Sequence, residues 1–258
     1  MKCKVLLIGE GPTDIGDLAI EPAHRDGRER RDGFLQPLLR TMVGGEVELE
    51  LDGRKLMHLP KAPLTKHRAG KLQAENASRA LALASVLGAN ALVLSFDTDK
   101  TPGTRAKRVE RQRRLRELRA SAEQGFEHTR ANDADAAAIQ TVLAIPCRMI
   151  EAWALGDREA LANLLDISPR ELDYREPEDL WGDEEDPASD HPKCVWRRVT
   201  EDRIDFSEIG AAVAPPTLAK RCPDSFPPFA EDVDRALRRC ARRSPTQAAV
   251  PRPRRRKR

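Results

Sequence analysis

Four short runs of this chain are apolar without helical spacing, and segments with apolar residues three and four apart lie between them. Lys2–Ile8 passes from alternating charge into Val-Leu-Leu-Ile and halts at Gly-Glu-Gly-Pro, which predicts a buried strand. Val47–Leu51 alternates like a strand, and Ala91–Phe96 and Thr141–Ile145 read as two further buried strands. Apolar residues at 34, 35, 38, 39 and 42 predict a helix over Phe34–Met42, and Ala74–Leu87 is an Ala/Leu-rich helix closed by Gly88 and Asn90. Arg105–Glu123 holds good helix formers but only Val109, Leu115, Leu118 and Ala122 as apolar positions, so it reads as an exposed, Arg-rich helix. Cys147–Leu165 reads as one amphipathic helix, with Trp153 among its core positions, ended by Ser168-Pro169. Strand and helix alternate, which predicts an α/β fold: a mostly parallel central sheet with helices on both faces. Gly16–Gly33, rich in Gly, Arg and Asp, reads as an inserted loop.

Past Asp166 the pattern changes. The chain becomes acidic and Pro-rich, with one late helix at Glu231–Arg242, so residues 166–243 are expected to form a C-terminal appendage packed on residues 1–165. Residues 244–258 are expected to be a disordered basic tail. That tail alters the charge picture, because its last eight residues hold six of the positive charges behind the net +3, and the rest of the chain carries −3. Charge is also segregated within the body. Lys100–Arg119 has nine basic and two acidic side chains, whereas Glu171–Asp190 has ten acidic and one basic, so the two segments are opposite poles of a surface or partners of each other.

Composition excludes several classes. With 258 residues, 34% of them charged, and a mean hydropathy of −0.60, no stretch approaches the ~18 apolar residues of a membrane span. The Val5–Ile8 run is too short for a secretion signal, so a cytoplasmic protein without membrane partners is expected. Five cysteines without a C-x-x-C pair do not form a disulfide framework. His191 and Cys194, three apart, lack the second close pair that a zinc site needs.

The chemistry lies in the acids. Parallel α/β sheets bind ligands at the carboxyl ends of their strands, and Glu10 and Asp14 follow the first strand while Asp97 and Asp99 follow the third. Four residues separate the first pair, one helical turn; the spacing of two in the second places both side chains on one side of an extended segment. Two carboxylate pairs on adjacent loops suit a hard cation such as Mg²⁺, while the bland reading makes them a helix cap and a solvated turn. The basic segment that follows, with Lys100, Arg105, Lys107, Arg108 and Arg111, either lines a phosphate backbone or is a solvated helix face. Aromatic residues make up 4%, too few for base stacking to dominate any such contact.

These residues also carry a resemblance. Gly9-Glu10-Gly-Pro-Thr-Asp14 resembles the first acidic motif of Toprim domains, and Leu94-Ser-Phe-Asp97-Thr-Asp99 resembles their D-x-D motif after the third strand. With Ile145–Asp157, His191-Pro-Lys193 and Cys222-Pro-Asp-Ser-Phe226, five blocks in order resemble a bacterial Toprim-like family of unknown function, related to RloB-type and overcoming-lysogenization-defect (OLD) nucleases. The resemblance implies a Toprim-like catalytic domain over 1–165, Mg²⁺ or Mn²⁺ as cofactor, phosphodiester hydrolysis on DNA or RNA, and an ABC- or AAA-type ATPase partner in anti-phage defence. It implies that Glu10, Asp14, Asp97 and Asp99 are metal ligands, with Glu10 and Asp97 catalytic. Glu151 either joins them or favours its helix dipole. Lys193 is either a catalytic cation, acting where negative charge builds up, or a surface lysine.

Two rival readings use the same residues. A regulatory or scaffold subunit of such a complex keeps the shape without turnover. Asp97-Thr-Asp-Lys-Thr101 also matches the nucleophile loop of haloacid-dehalogenase-like phosphatases, although that loop normally follows a first strand.

Overall fold

A computed structural model describes residues 2–24, 30–60, 71–98 and 107–242 of the chain. Asp99, Lys100, Arg105 and the C-terminal tail lie outside the described residues. The four expected strands are present as β1 (Lys2–Gly9), β2 (Glu48–Lys55), β3 (Ala91–Ser95) and β4 (Gln140–Ala144), all parallel, in the order β2-β1-β3-β4. The α/β class read from the alternating pattern is therefore the fold class of the protein.

Strand side chains alternate between two cores. Cys3, Val5 and Leu7 of β1 join one apolar cluster, and Leu6 and Ile8 join the other. Beneath the second lie α3 (Lys71–Val86) and α4 (Arg108–Asn132), which contribute Ala77, Ala80, Leu81, Leu118, Ala122 and Phe126. The two helices cross so closely at Gly125 that a Cβ there would sit 2.0 Å from the Ala74 carbonyl oxygen. Ending α4 at Glu123 was too short an expectation, because Phe126 continues its buried stripe by one more turn.

The first cluster is covered by α2 (Leu35–Val43) and by most of the chain beyond β4. The single helix expected over Cys147–Leu165 is two: α5 (Ile150–Ala154) and α6 (Arg158–Leu165). They part at Gly156, where a Cβ would meet Leu218 at 2.6 Å, and Asp157 restarts the chain as an N-cap, its carboxylate accepting from Ala160 N–H at 3.1 Å. Three further helices precede the one late helix expected: α7 (Pro192–Thr200), α8 (Phe206–Ala212) and α9 (Pro215–Arg221). Pro192 and Pro215 start helices instead of breaking them, since a first helical residue has no N–H partner to lose. The last helix, α10, spans Phe226–Arg242 and tolerates Pro227 and Pro228 in its first turn for the same reason. Its Phe226, Phe229, Val233 and Leu237 enter the core.

α10 also closes an exposed edge. Asp232 accepts the Leu143 N–H of β4 at 3.2 Å and pairs with Arg119 of α4 at 2.7 Å. Among the described residues no helix is long and apolar enough to cross a membrane. Cys3, Cys147, Cys194 and Cys222 are buried free thiols.

Candidate active site

The order β2-β1-β3-β4 makes the chain turn one way out of β1 and the other way out of β3. The crevice at their carboxyl ends is a topological switch point, where open α/β sheets bind ligands. Glu10 leaves β1 there. A short helix, α1 (Pro12–Ile15), then curls back so that buried Asp14 accepts the Glu10 N–H at 2.7 Å. Glu10 in turn reaches across the switch point, its Oε1 accepting the Asp97 N–H at 2.9 Å. The loops after β1 and β3 are thus tied through the two acids that the sequence singles out.

Thr98 holds the next joint. It is fully buried; its N–H donates to the Arg148 carbonyl at 2.6 Å, its Oγ1 donates to the Pro146 carbonyl at 3.1 Å and accepts the Arg148 N–H at 2.7 Å. Arg148 is left-handed, with φ 73°, a conformation that costs a non-glycine residue about 1–3 kcal/mol and needs such over-determination. Its side chain donates to the Leu180 carbonyl and stacks 4.6 Å over Trp181. This turn delivers Glu151 to the first turn of α5.

Glu151 is buried, and burial pushes its carboxyl upward while Lys193 pulls it down and Glu184 adds to the rise. Asp14 is pushed to about 7, foremost by burial, with the charges of Glu151 and Glu10 adding to it against the pull of the Glu10 amide. Lys193, in the first turn of α7, bonds Glu184 at 2.9 Å. Burial pulls Lys193 down, but Glu184, Glu151 and Asp97 outweigh it and hold it above the ordinary lysine value as a permanent cation. Five residues singled out in the sequence (Glu10, Asp14, Asp97, Glu151 and Lys193) therefore share one electrostatic neighbourhood. Glu184 belongs to it as well, although its sequence context reads as one acid in an acidic run. Only the packing of that run against α7 reveals its place.

The basic residues divide. Lys107 is exposed, but Arg108 pairs with Asp224 at 3.0 Å, and buried Arg111 is held by Asp224 at 2.8 Å and Asp179 at 2.9 Å. Arg111 is therefore an internal tie between α4 and the acidic segment, and its guanidinium is not presented to solvent as a phosphate contact. The Cys222–Phe226 block is an internal tie of the same kind. Its Ser225 donates to Glu178 and accepts the Trp153 Nε1–H at 2.8 Å, linking α10 to the helix of Glu151.

Among the described residues no group of three or more His, Cys, Asp or Glu side chains is disposed to hold a metal ion. The described donors thus form no all-protein cage. Mg²⁺ does not require one, since it takes one or two carboxylates and completes its octahedron with water and substrate phosphate. Paired carboxylates at a strand-end crevice fit that mode. No protein-family model, curated protein or solved structure matches the chain.

Proposed function

We propose that this protein is a Mg²⁺- or Mn²⁺-dependent phosphodiester hydrolase of Toprim type acting on DNA or RNA. The observation that carries this reading is the convergence of Glu10, Asp14, Asp97 and Glu151 from the segments that follow three different strands, with the cation of Lys193 beside Asp97 and Glu151. Carboxylates gathered at this density repel one another, and a bound divalent cation relieves that repulsion. Glu10 and Asp97 would hold the ion, with Asp14 and Glu151 beside them; Asp99 completes the motif in the sequence. The ion supplies charge neutralisation at the scissile phosphate and an acidified water.

The chain's own groups then have separable roles. Asp14 fixes Glu10 through its amide, and Thr98 fixes Asp97 against the turn that carries Glu151. Lys193 places permanent positive charge where the phosphate gains negative charge. Glu184 occupies that ammonium in the absence of substrate, and a phosphate oxygen is the natural replacement. The motif resemblance extends the proposal to an effector in anti-phage defence that works with an ABC- or AAA-type ATPase.

Assays on labelled DNA, RNA and a phosphomonoester test it. Wild type is expected to cleave a nucleic acid with Mn²⁺ and to stop with EDTA; Asp97→Asn and Glu10→Gln each lose cleavage by about 10² or more. Metal-independent cleavage, or full activity in Asp97→Asn, sinks the reading. Turnover of the phosphomonoester through a covalent aspartyl-phosphate replaces it with the phosphatase.

A further inference from the structure

A second feature of the crevice lies on a wall that the five sequence motifs reach only at Glu10. A hollow of about 350 Å³ opens between the end of β2 and α3, and Glu10 is the wall it shares with the acid cluster. Lys55, the last residue of β2, and Leu56 and Met57, in the turn after it, form one side. Asn76 and Arg79, three apart on one face of α3, form the other. The volume lies within the range of about 300–1,000 Å³ typical of small-ligand sites.

The lining specifies the occupant's chemistry. Lys55 and Arg79 bring two cations against the single carboxylate of Glu10. Arg79 spends one Nη on Glu75 at 3.1 Å, while its Nε is buried without a hydrogen-bond partner. That Nε is enclosed, so a phosphate in the hollow would meet the guanidinium through its Nη N–H groups. The same lining holds Leu56, which packs partly against the second core, and Met57, which is 68% exposed and offers the hollow an apolar surface. Free phosphate is too small for the hollow and leaves this apolar side bare, and an acidic peptide has no use for it. A nucleotide satisfies all of it: phosphate on Lys55 and Arg79, the base face on Leu56 and Met57, and a base or sugar edge on the Asn76 amide.

We infer that this hollow is the subsite for the nucleotide next to the scissile phosphate. The inference rests on the nuclease reading, since Glu10 belongs to both the hollow and the acid cluster. A strand cleaved at Glu10 and Asp97 has its neighbouring residue in the hollow. Lys55 and Arg79 are thereby binding residues that set the strand's path.

The test uses the full chain in EDTA, with short fluorescein-labelled DNA and RNA single strands as probes and, separately, Mn²⁺ titration by calorimetry. Lys55→Gln/Arg79→Gln is expected to weaken the better-bound strand about tenfold or more and to lower its salt slope by about 0.7 for each phosphate no longer neutralised. Met57→Glu, at an exposed position that leaves folding untouched, is expected to weaken it too. Lys2→Gln, at the opposite end of the sheet, is expected to leave it unchanged, and Mn²⁺ affinity is expected to be the same in every variant. In turnover the double variant raises KM more than it lowers kcat. Wild-type strand affinity in both the double variant and Met57→Glu overturns the subsite, as does an equal loss in Lys2→Gln. Failure of wild type to bind Mn²⁺ while strand binding still depends on Lys55 and Arg79 removes the nuclease reading and leaves the subsite standing.

Discussion

Asp14 shows how burial changes what a single carboxylate does. In the sequence it is one of four similar acids, and its spacing from Glu10 already implies the turn that α1 makes. Its burial and its hydrogen bond to the Glu10 amide follow from Ile15 and the residues around it packing into the core, which no spacing expresses. A carboxyl raised from 3.8 to about 7 makes stability fall as pH rises. Below about pH 4 both folded and unfolded forms carry the proton; between the two values only the unfolded chain ionises, and above about 7 the penalty is complete. The metal-free protein is therefore expected to lose melting temperature between about pH 4 and pH 7. Asp14→Asn, which keeps an acceptor for the Glu10 amide, is expected to flatten this dependence and to be more stable than wild type at the upper end. Differential scanning fluorimetry in EDTA reads both. A variant that tracks wild type across the range means that Asp14 is ionised in the folded protein.

At the scale of elements, one acid joins two segments. The Asp224 side chain is fully enclosed and accepts from Arg108 at 3.0 Å, Arg111 at 2.8 Å and Gln112 at 2.7 Å, so the start of α4 is fastened to the turn before α10. Burial acts to raise its pKa, but these donors together outweigh it and hold the carboxyl below the usual aspartate value. Its contribution is therefore present above the unfolded value and lost as pH falls through the lower, folded one. Asp224→Asn strands the Arg111 charge in the interior with only the half-exposed Asp179 beside it. The expected cost is about 3–5 kcal/mol, read as a lower urea midpoint with an unchanged slope. A cost under about 1 kcal/mol means the guanidinium finds solvent instead. The pairing of basic and acidic segments was one of two options open in the charge pattern, and Arg111–Asp179 shows it formed. Less legible was the helical content past Asp166, because prolines read as breakers. The Asp205–Glu208 capping box is the sequence signal that marks α8.

Across the whole molecule, the four apolar runs made the parallel sheet legible, but not its order, which depends on which face each crossover helix covers. That order puts the ends of β1 and β3 at the switch point, and so it brings Glu10 to Asp97 across 87 residues of chain. A ligand held there clamps loops from both halves of the sheet, and its binding free energy adds to the stability of the entire fold. At a concentration ten times its dissociation constant, a divalent ion adds about 1.4 kcal/mol, which for a chain of this size raises the melting temperature by roughly 3–6 °C. Mg²⁺ or Mn²⁺ is expected to give wild type such a rise at about pH 8, and Asp97→Asn is expected to give none. Thr98 separates the clamp from the ligands themselves. Thr98→Val keeps the shape but leaves the Arg148 N–H and Pro146 carbonyl without their hydroxyl partner, so it is expected to lower both basal stability and the metal-induced rise, while Thr98→Ser restores both. If Val lowers the basal melting temperature yet the metal-induced rise remains whole, Thr98 holds the two loops together without setting the site. If neither ion raises the melting temperature of wild type, the crevice does not bind a divalent cation.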